Sequence, residues 1–334
     1  MKLPELNKTI AAIDKHLEAH TGKPRPHMGA SLLGTKCDRW LWLSFRLAVI
    51  EQFKGRTLRL FRRGQDEENT VVSDLRAVGF DVTRRQDRVD FGAHVSGSID
   101  GVVTGVPESP VKPHVLEIKT HNEKSFNDLE KNGVEKSKPQ HYVQMQIYMA
   151  GLGIDRAFYY AVCKNDDRIY TERVRFDKAM AEKYIARGKR LALDDRMPPP
   201  ISTDPTWYEC KMCAGGHDFC HKSKVTREVN CRTCAHSTAK EDGSWLCEEY
   251  SHTLTFDEQL TGCSAHVLHP DLVPWKYSPA EQGVVWHTPH GDVENSMTAY
   301  HSTEIVENVQ ACASGDKFIE EVRATMGGRI VGDA

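Results

Sequence analysis

The sequence predicts an α/β protein in which helices flank a central mixed β-sheet, with a small cysteine-rich module after it. Short apolar or alternating runs between Phe80 and Thr120 are separated by turns rich in Gly, Pro and Asp, which is typical of consecutive strands. Segments with apolar residues every three or four positions precede and follow these runs and indicate helices. Seven of the ten cysteines fall into two closely spaced groups after Arg196, which sets that region apart from the predicted sheet.

Length and composition limit the classes of protein to consider. A chain of 334 residues with 39% apolar content can build one large and one small domain. The charged amino terminus and the lack of an apolar run of about 18 residues argue against a signal peptide and a membrane span. We therefore expect a soluble, cytoplasmic protein with no membrane partner. A net charge of -3 argues against indiscriminate binding to nucleic acid.

Helical periodicity predicts helices over residues 5–20, where Leu6 and Ile10 begin an apolar stripe, from about Asp38, and over Gly64–Val78. The strands expected next have these ranges: Phe80–Arg84, His94–Val103 and Pro113–Thr120. A helix, a strand hairpin and a second helix complete the predicted core: Pro139–Leu152, residues 156–176 and Asp177–Leu193.

Prolines from Arg196 onward break the helical pattern and predict a boundary region. We expect a core domain over residues 1–224 that is closed by the first cysteine group. Residues 225–270 predict a small metal-stapled module of the zinc-ribbon kind, because so polar a segment has little apolar core of its own. Residues 271–334 predict a weakly patterned C-terminal tail with one helix at Asp316–Met326.

Charged side chains follow two neighbouring predicted strands in the segment GSIDGVVTGVPESPVKPHVLEIKT. Asp100 is expected on one strand. Glu117 and Lys119, two residues apart on the next, share one face while Ile118 points into the core. Phosphodiester hydrolysis needs carboxylates that hold a hard divalent cation, and a cationic group that orients water or stabilises the transition state. Such alternation more often marks a solvated strand face, but the apolar residues before Glu117 favour burial and hence an active site.

The order of these motifs resembles the RecB-like branch of the PD-(D/E)XK nuclease superfamily over residues 28–222. The matching positions are a glycine-to-acid helix motif, G-x-x-D, E-x-K and Q-x-x-x-Y: Gly64–Glu68 (with Glu67 as the alternative acid), Gly97–Asp100, Glu117–Lys119 and Gln144–Tyr148. The resemblance implies a restriction-endonuclease-like fold and a nuclease dependent on Mg or Mn. It implies as metal ligands Glu68, Asp100, Glu117 and the carbonyl of Ile118. Gln144, with Tyr148 on the same helix, would support Lys119 or the scissile phosphate.

The first cysteine group is Cys210-x2-Cys213-x6-Cys220, for which Cys37 is the distant candidate fourth ligand. One amino-terminal cysteine and a later trio resemble the CRISPR-associated RecB-like exonucleases and the AddAB-type helicase-nucleases. That resemblance implies a 4Fe-4S cluster. Zinc, bound by the cysteines or by three of them and a nearby histidine, is the alternative.

The second cysteine group is Cys231-x2-Cys234-x12-Cys247-x15-Cys263. A C-x-x-C pair followed by two further cysteines is typical of a structural zinc site. We expect zinc here, because a polar segment of this size needs a metal to fold. The pattern leaves open whether the module contacts DNA, recruits a partner or only completes the fold.

The expected function is an exonuclease that resects DNA ends for recombination or repair. It is similar to phage recombination nucleases, and a phage-encoded protein would be found in the host cytoplasm. A structure-selective or single-strand endonuclease is the alternative with the same chemistry. A non-catalytic DNA-binding adaptor that works through its metal modules is the alternative of another class. The expected partners are DNA and a recombination annealing or single-strand-binding protein. Basic residues crowd between Lys54 and Arg88, where they either follow a phosphate backbone or form a solvated surface.

Overall fold

The structure is a computed structural model that describes residues 7–331. Its helices are α1 Lys8–Ala19, α2 Asp38–Phe45, α3 Gly55–Ala77, α4 Glu123–Ser137, α5 Pro139–Leu152, α6 Lys178–Leu193, α7 Tyr208–Lys211, α8 Gly216–Asp218, α9 Phe256–Gln259, α10 Ser302–Cys312 and α11 Lys317–Met326. Its strands are β1 Met28–Gly29, β2 Asp81–Thr83, β3 Arg88–Gly92, β4 Val95–Ser98, β5 Gly101–Thr104, β6 His114–His121, β7 Arg156–Cys163, β8 Ile169–Arg175, β9 Ser237–Ala239, β10 Trp245–Cys247, β11 His252–Leu254, β12 Lys276–Ala280, β13 Gly283–Thr288 and β14 Gly291–Asn295. Leu6 in the first predicted helix, and the outermost residues of the predicted first and last ranges, lie outside the described residues.

The described residues form two compact units that interleave along the chain. The first unit takes the chain up to Lys36 and Gln52–Arg190, and the second takes Cys37–Glu51 and the chain from Leu191 onward. Helix α2 therefore folds with the cysteine-rich half, where its Trp42 indole donates to the carbonyl of Asp194 at 2.7 Å. The predicted boundary after residue 224 does not coincide with this division, because sequence spacing does not reveal which distant segment α2 packs against.

The first unit contains a mixed sheet of strand order β2-β5-β6-β7-β8. Strands β6 and β7 are parallel, with Glu117 opposite Tyr159, and the other pairs are antiparallel. Helix α3 covers one face, where Val71 and Leu75 pack with Ile118 in a buried cluster. Helix α5 lies against the Tyr159 face. The predicted α/β class with a mixed, helix-flanked sheet is confirmed at this level.

Several predicted elements of the first unit differ from the observed ones. Helix α3 begins at Gly55 rather than at Gly64, because its first turn is capped from α1: the Glu18 carboxylate accepts from the Gly55 main-chain N–H at 2.8 Å. Helix α4 was missed, since Gly133 interrupts its periodicity with a left-handed φ of 73°. The predicted strand His94–Val103 is two strands, β4 and β5, which belong to different sheets.

The second unit contains small antiparallel sheets of order β11-β10-β9 and β12-β13-β14. The residues after 270, predicted as a weakly patterned tail with one helix, contain that helix as α11 and, in addition, strands β12–β14 and helix α10. Trp286 and Val293 alternate inward on β13 and β14 and pack with Ile305 of α10 in a buried cluster. Polar residues dominate these short strands, so the few inward positions gave a weak sequence signal. In the chain as described, helices long and apolar enough to cross a bilayer are absent.

Candidate active site and cysteine groups

Asp100 lies in the break between β4 and β5, not on a strand as the sequence predicts. The bend there is fixed by main-chain hydrogen bonds from Gln86 to Ile99 at 2.9 Å and from Ile99 to Asp87 at 3.1 Å. The carboxylate faces β6, and its Oδ2 accepts from the main-chain N–H of Ile118 at 2.7 Å. The junction of two sheets therefore ties this acid to the strand that carries the other charged side chains.

Glu117 and Lys119 share one face of β6, as the period-two pattern predicts, while Ile118 joins the core on the other. The Glu117 side chain is fully buried and forms an ion pair with the Lys119 ammonium. That ammonium also donates to the carbonyl of Ile118 at 3.1 Å and lies 3.9 Å from Oδ2 of Asp100. Within residues 7–331, the Lys119 ammonium is the ion-pair partner of Oε1, and Oε2 has no hydrogen-bond partner. A buried carboxylate oxygen without a donor is suited to a cation.

The ionisation of these groups follows from burial and from one another. Desolvation raises the pKa of Glu117 to about 7; Lys119 opposes this rise and Asp100 adds to it. Burial by itself would lower the pKa of Lys119, but the carboxylates of Glu117 and Asp100 raise it above its ordinary value. Lys119 is therefore a fixed ammonium, whereas the charge of Glu117 near neutral pH depends on the cations beside it.

Helix α5 brings Gln144 and Tyr148, one turn apart, to the same side of the first unit. The Tyr148 hydroxyl donates to the carbonyl of Ser98 at 2.8 Å. A Cβ added to Gly97 would stand 2.5 Å from that hydroxyl, so the glycine of the G-x-x-D motif is required by packing. Gln144 is buried and lines the same cavity as Lys119, but among the described residues it makes no hydrogen bond to Lys119.

The choice between the two adjacent glutamates of α3 is resolved by their surroundings. The Glu68 carboxylate accepts from the Gln86 amide at 3.1 Å. Burial raises the pKa of Glu68 and the charge of Asp100 adds to this rise, whereas the charge of Lys119 opposes it. The charge of Glu67 instead contributes, after burial, to a raised pKa of Tyr160, whose side chain belongs to the buried cluster under α3. Glu68 is therefore the acid that faces the candidate site.

An open cavity of about 580 Å³ joins these side chains. Its wall contains Asp100, Lys119, Gln144 and Tyr148 together with residues that the sequence reasoning missed: Arg25, Gln86 and His141. Basic residues of the crowded segment are partly engaged elsewhere, since Arg59 pairs with Asp14 and Arg84 with Asp87. These two arginines therefore form ion pairs with carboxylates of the first unit.

A row of buried polar groups lies beside the cavity. Nδ1 of His141 and Nε2 of His121 both lie 2.9 Å from the Tyr159 hydroxyl. Burial lowers the pKa of His141 to about 3 and that of His121 to about 4, so both rings are neutral near pH 7. The signal was present in the sequence, because His121 follows Lys119 by two residues and His141 precedes Gln144 by three. Both therefore share faces with predicted site residues.

The first cysteine group converges in the second unit on one cavity, lined by Cys37, Cys210, Cys213 and Cys220. The Cys37 sulfur accepts from the main-chain N–H of Trp40 at 3.4 Å. Burial raises the pKa of Cys210, Cys213 and Cys220, and Ser202, Gly216 and Arg39 respectively oppose that rise. A Cβ on Gly216 would lie 2.8 Å from the Cys213 sulfur, so this glycine leaves room for the ligand atom. N–H donors directed at sulfur favour thiolates, which suits metal or cluster ligation.

The second cysteine group lines another cavity of the second unit, shared by Cys231, Cys234, Cys247 and Cys263. The Cys234 sulfur accepts from the main-chain N–H groups of two residues, His236 and Val267. Across the part of the chain that the structure describes, no group of three or more His, Cys, Asp and Glu side chains is placed so that it could hold a metal ion as the side chains stand.

No protein-family model matches the chain, and no curated protein matches it. Among solved structures, SSO0001 is similar over 62% of this chain and 93% of its own, at 16% identity and a TM-score of 0.38. An alkaline exonuclease from Laribacter hongkongensis is similar over 53% of this chain and 90% of its own, at 19% identity and a TM-score of 0.36. A phage-related exonuclease from Haemophilus somnus 129PT is similar over 38% and 65%, at 19% identity and a TM-score of 0.28. The chemistry of this chain is therefore inferred from its own residues.

Proposed function

We propose that this chain is a metal-dependent deoxyribonuclease of the PD-(D/E)XK type, acting as an exonuclease that resects DNA ends. The observation that carries the proposal is the buried carboxylate of Glu117. Its Oε2 has no hydrogen-bond donor in the described structure, its Oε1 pairs with the Lys119 ammonium, and Lys119 and Asp100 lie at the edge of an open cavity. A structural ion pair would leave no reason for a second acid or for a cavity at the pair.

The donor atoms at this site suit a hard cation. The carboxylates of Asp100 and Glu117 and the carbonyl of Ile118 are all oxygen donors, the set preferred by Mg or Mn, with Glu68 as a further acid nearby. A divalent ion bound there would supply Lewis acidity and lower the pKa of a bound water. Oε2 of Glu117 would be available to such an ion, and Oε1 would become available if the Lys119 ammonium moved away from it.

The remaining side chains have roles in binding and charge stabilisation. Lys119, once freed from Glu117, is a compact point charge that can stabilise negative charge developing on the phosphoryl oxygens. Arg25 and Gln86 on the cavity wall can bind phosphate oxygens and orient the DNA strand. Gln144 holds its amide at the same cavity for Lys119 or for the phosphate, and Tyr148 fixes the turn at Ser98 that precedes Asp100.

The test is cleavage of end-labelled linear DNA and of covalently closed circular DNA, each with Mg, with Mn and with a chelator. We expect release of nucleotides from linear DNA only, dependent on the metal and lost in Lys119→Ala. Cleavage of the circle would replace the exonuclease by an endonuclease. Binding of DNA without metal-dependent cleavage of any substrate would overturn the proposal in favour of a non-catalytic adaptor.

We further infer that Cys37, Cys210, Cys213 and Cys220 hold a 4Fe-4S cluster. The support is the convergence of the four thiols on one cavity, together with the N–H group that donates to the Cys37 sulfur, since such donors tune iron–sulfur centres. Burial raises the pKa of Cys213 to about 11, so a cation beside this thiol would favour its ionisation.

The test is purification of the whole chain without oxygen. We expect a brown protein with visible thiolate-to-iron absorption and equal iron and sulfide contents, and loss of all three in Cys37→Ala. Cys163→Ala, which removes a thiol of β7 outside both groups, is the matched control and should stay coloured. A colourless anaerobic protein with zinc bound to this group would assign the site to zinc.

A further inference from the structure

We propose that Cys231, Cys234, Cys247 and Cys263 bind one zinc ion, and that this ion holds the Cys231–Cys234 knuckle against the carboxyl end of α2. The second unit contains both partners, the knuckle and the segment Cys37–Glu51. The inference is independent of the proposed nuclease activity. It concerns a structural metal site and the mechanical link from that site to the helix that begins after Cys37.

The chemistry of the donor set favours zinc. Four cysteines on one small cavity, two of them in a C-x-x-C knuckle, match the tetrahedral thiolate coordination that zinc adopts in structural sites. Strands β9, β10 and β11 have three residues each, too short to form a stable sheet alone.

The side chain of Arg232, inside the knuckle, is buried among three aromatic rings. Its side chain is 1% exposed, and its guanidinium lies 5.0 Å from the Trp245 ring, 5.1 Å from Phe45 and 5.7 Å from Phe256. The Gln259 amide oxygen accepts from it at 3.0 and 2.8 Å. These contacts of the guanidinium require the main chain of the knuckle to stay in position. Metal ligation by Cys231 and Cys234, on both sides of Arg232, would hold it there.

The same segment caps the carboxyl end of α2, where helix carbonyls lack partners inside the helix. The Arg232 guanidinium donates to the carbonyl of Phe45 at 2.7 Å, and the Asn230 amide donates to the carbonyl of Leu47 at 3.1 Å. The Thr226 hydroxyl donates to the carbonyl of Ala48 at 2.9 Å. Leu47 has a left-handed φ of 53°, an unfavourable conformation that needs such external support. Each contact would weaken if the knuckle moved.

Helix α2 thus connects the two cysteine groups. Its amino end is capped by Cys37, whose sulfur accepts from the Trp40 main-chain N–H at 3.4 Å, and its carboxyl end is held by the knuckle segment. Zinc at the second group should therefore pre-organise Cys37 for the first group. Conversely, loss of that zinc should loosen α2.

The experiment measures zinc content and amide hydrogen exchange on the full chain. Cys263→Ser removes the exposed member of the group, and Cys247→Ser removes a half-buried one. We expect each to lose one zinc ion per chain and to show faster exchange in the peptide covering α2. Cys312→Ala, which removes a buried thiol of α10 outside both groups, is the matched control and should change neither readout.

A variant that keeps the ligands separates the two parts of the proposal and guards against simple misfolding. Arg232→Lys retains the positive charge but loses the planar contacts with the rings. It should keep its zinc while α2 still exchanges faster.

Cobalt replacement in the wild-type chain should give the visible spectrum of tetrahedral thiolate ligation. Unchanged zinc content in both cysteine variants would overturn the metal site. Loss of zinc with unchanged α2 exchange would overturn the link to the helix.

Discussion

The carboxylate cavity of the first unit and the cysteine groups of the second are both clusters of metal-ligand side chains, but they balance their charge differently. In the cavity, the Lys119 ammonium pairs with Glu117 and lies 3.9 Å from Asp100, so a cation is beside the acids even without a metal. In the cysteine groups, burial raises the pKa of thiols such as Cys231 and Cys213, so these thiols are neutral near pH 7. If each group binds the ion proposed above, the ion of the carboxylate cavity can exchange, whereas the ions of the two cysteine groups contribute to the fold.

That difference teaches where a metal contributes to function and where it contributes to fold. An exchangeable ion at oxygen ligands suits catalysis, since substrate and water must share its coordination positions. A thiolate-bound ion with all positions filled by protein suits folding, because its binding free energy is folding free energy. The two regions should therefore respond in opposite ways to mutation, chelation and pH.

The largest effect should come from Lys119→Ala, which removes the cation beside Glu117 and Asp100 while leaving both carboxylates in place. We expect cleavage to fall by roughly 10²- to 10³-fold, as when a single charge-stabilising donor is lost, with DNA affinity nearly unchanged. Single-turnover cleavage and equilibrium DNA binding measure the two quantities. Asp100→Asn should lose both cleavage and Mn binding.

Lys131→Ala, an exposed lysine on α4, is the matched control and should leave cleavage unchanged. Full activity in Lys119→Ala would contradict the active-site assignment. An equal loss in the control would show that the effect comes from general DNA electrostatics.

Truncation after Lys224 should have the next largest effect. Sequence reasoning predicts that residues from 225 onward are separable from the core. However, the contacts of Thr226, Asn230 and Arg232 with the end of α2 would be lost, at about 1 kcal/mol for each hydrogen bond. We expect a lower melting temperature and loss of metal at the Cys37 group. A truncated chain that keeps its metal and its stability would contradict this expectation.

The pH dependence should distinguish the two kinds of site. The pKa of Glu117 is raised from 4.5 to about 7. In the metal-free protein its contribution to stability is therefore complete below about pH 4.5 and lost as pH rises through about 7. Metal binding needs the ionised carboxylate, so Mn affinity should rise about tenfold per pH unit up to about pH 7 and then level off. Calorimetry in buffers of different ionisation enthalpy should detect one released proton below that pH; no proton release would contradict the ligand role.

The smallest effect should come from Tyr148→Phe, which deletes the hydroxyl bonded to the carbonyl of Ser98. One hydrogen bond contributes about 1 kcal/mol, so we expect a loss of that size in the free energy of unfolding and a modest decrease in cleavage. Urea unfolding of the two chains measures it. Because the hydroxyl packs against Gly97, a combined variant with Gly97→Ala should lose less than Gly97→Ala loses alone.

Local pattern determined much of this protein. An apolar run identified α5 with its observed bounds, since residues 143–149 are all buried, and apolar strand residues identified the β7–β8 hairpin. The period-two geometry of a strand was enough to put Glu117 and Lys119 on one face. Short cysteine spacings grouped the thiols, because knuckles are local structures.

Only the tertiary structure decided features that depend on partners far away in sequence. The start of α3 is set by Glu18 of α1, and the break that exposes Asp100 to β6 is set by the separation of β4 and β5 into different sheets. The surroundings of Glu67 and Glu68 differ only once α3 is packed. Most of all, the segment from Cys37 joins the cysteine-rich unit through carbonyls that accept donors more than 170 residues away, such as the one from Thr226 to Ala48. Non-local hydrogen bonds and burial leave no periodicity in the sequence, so a pattern cannot reveal them.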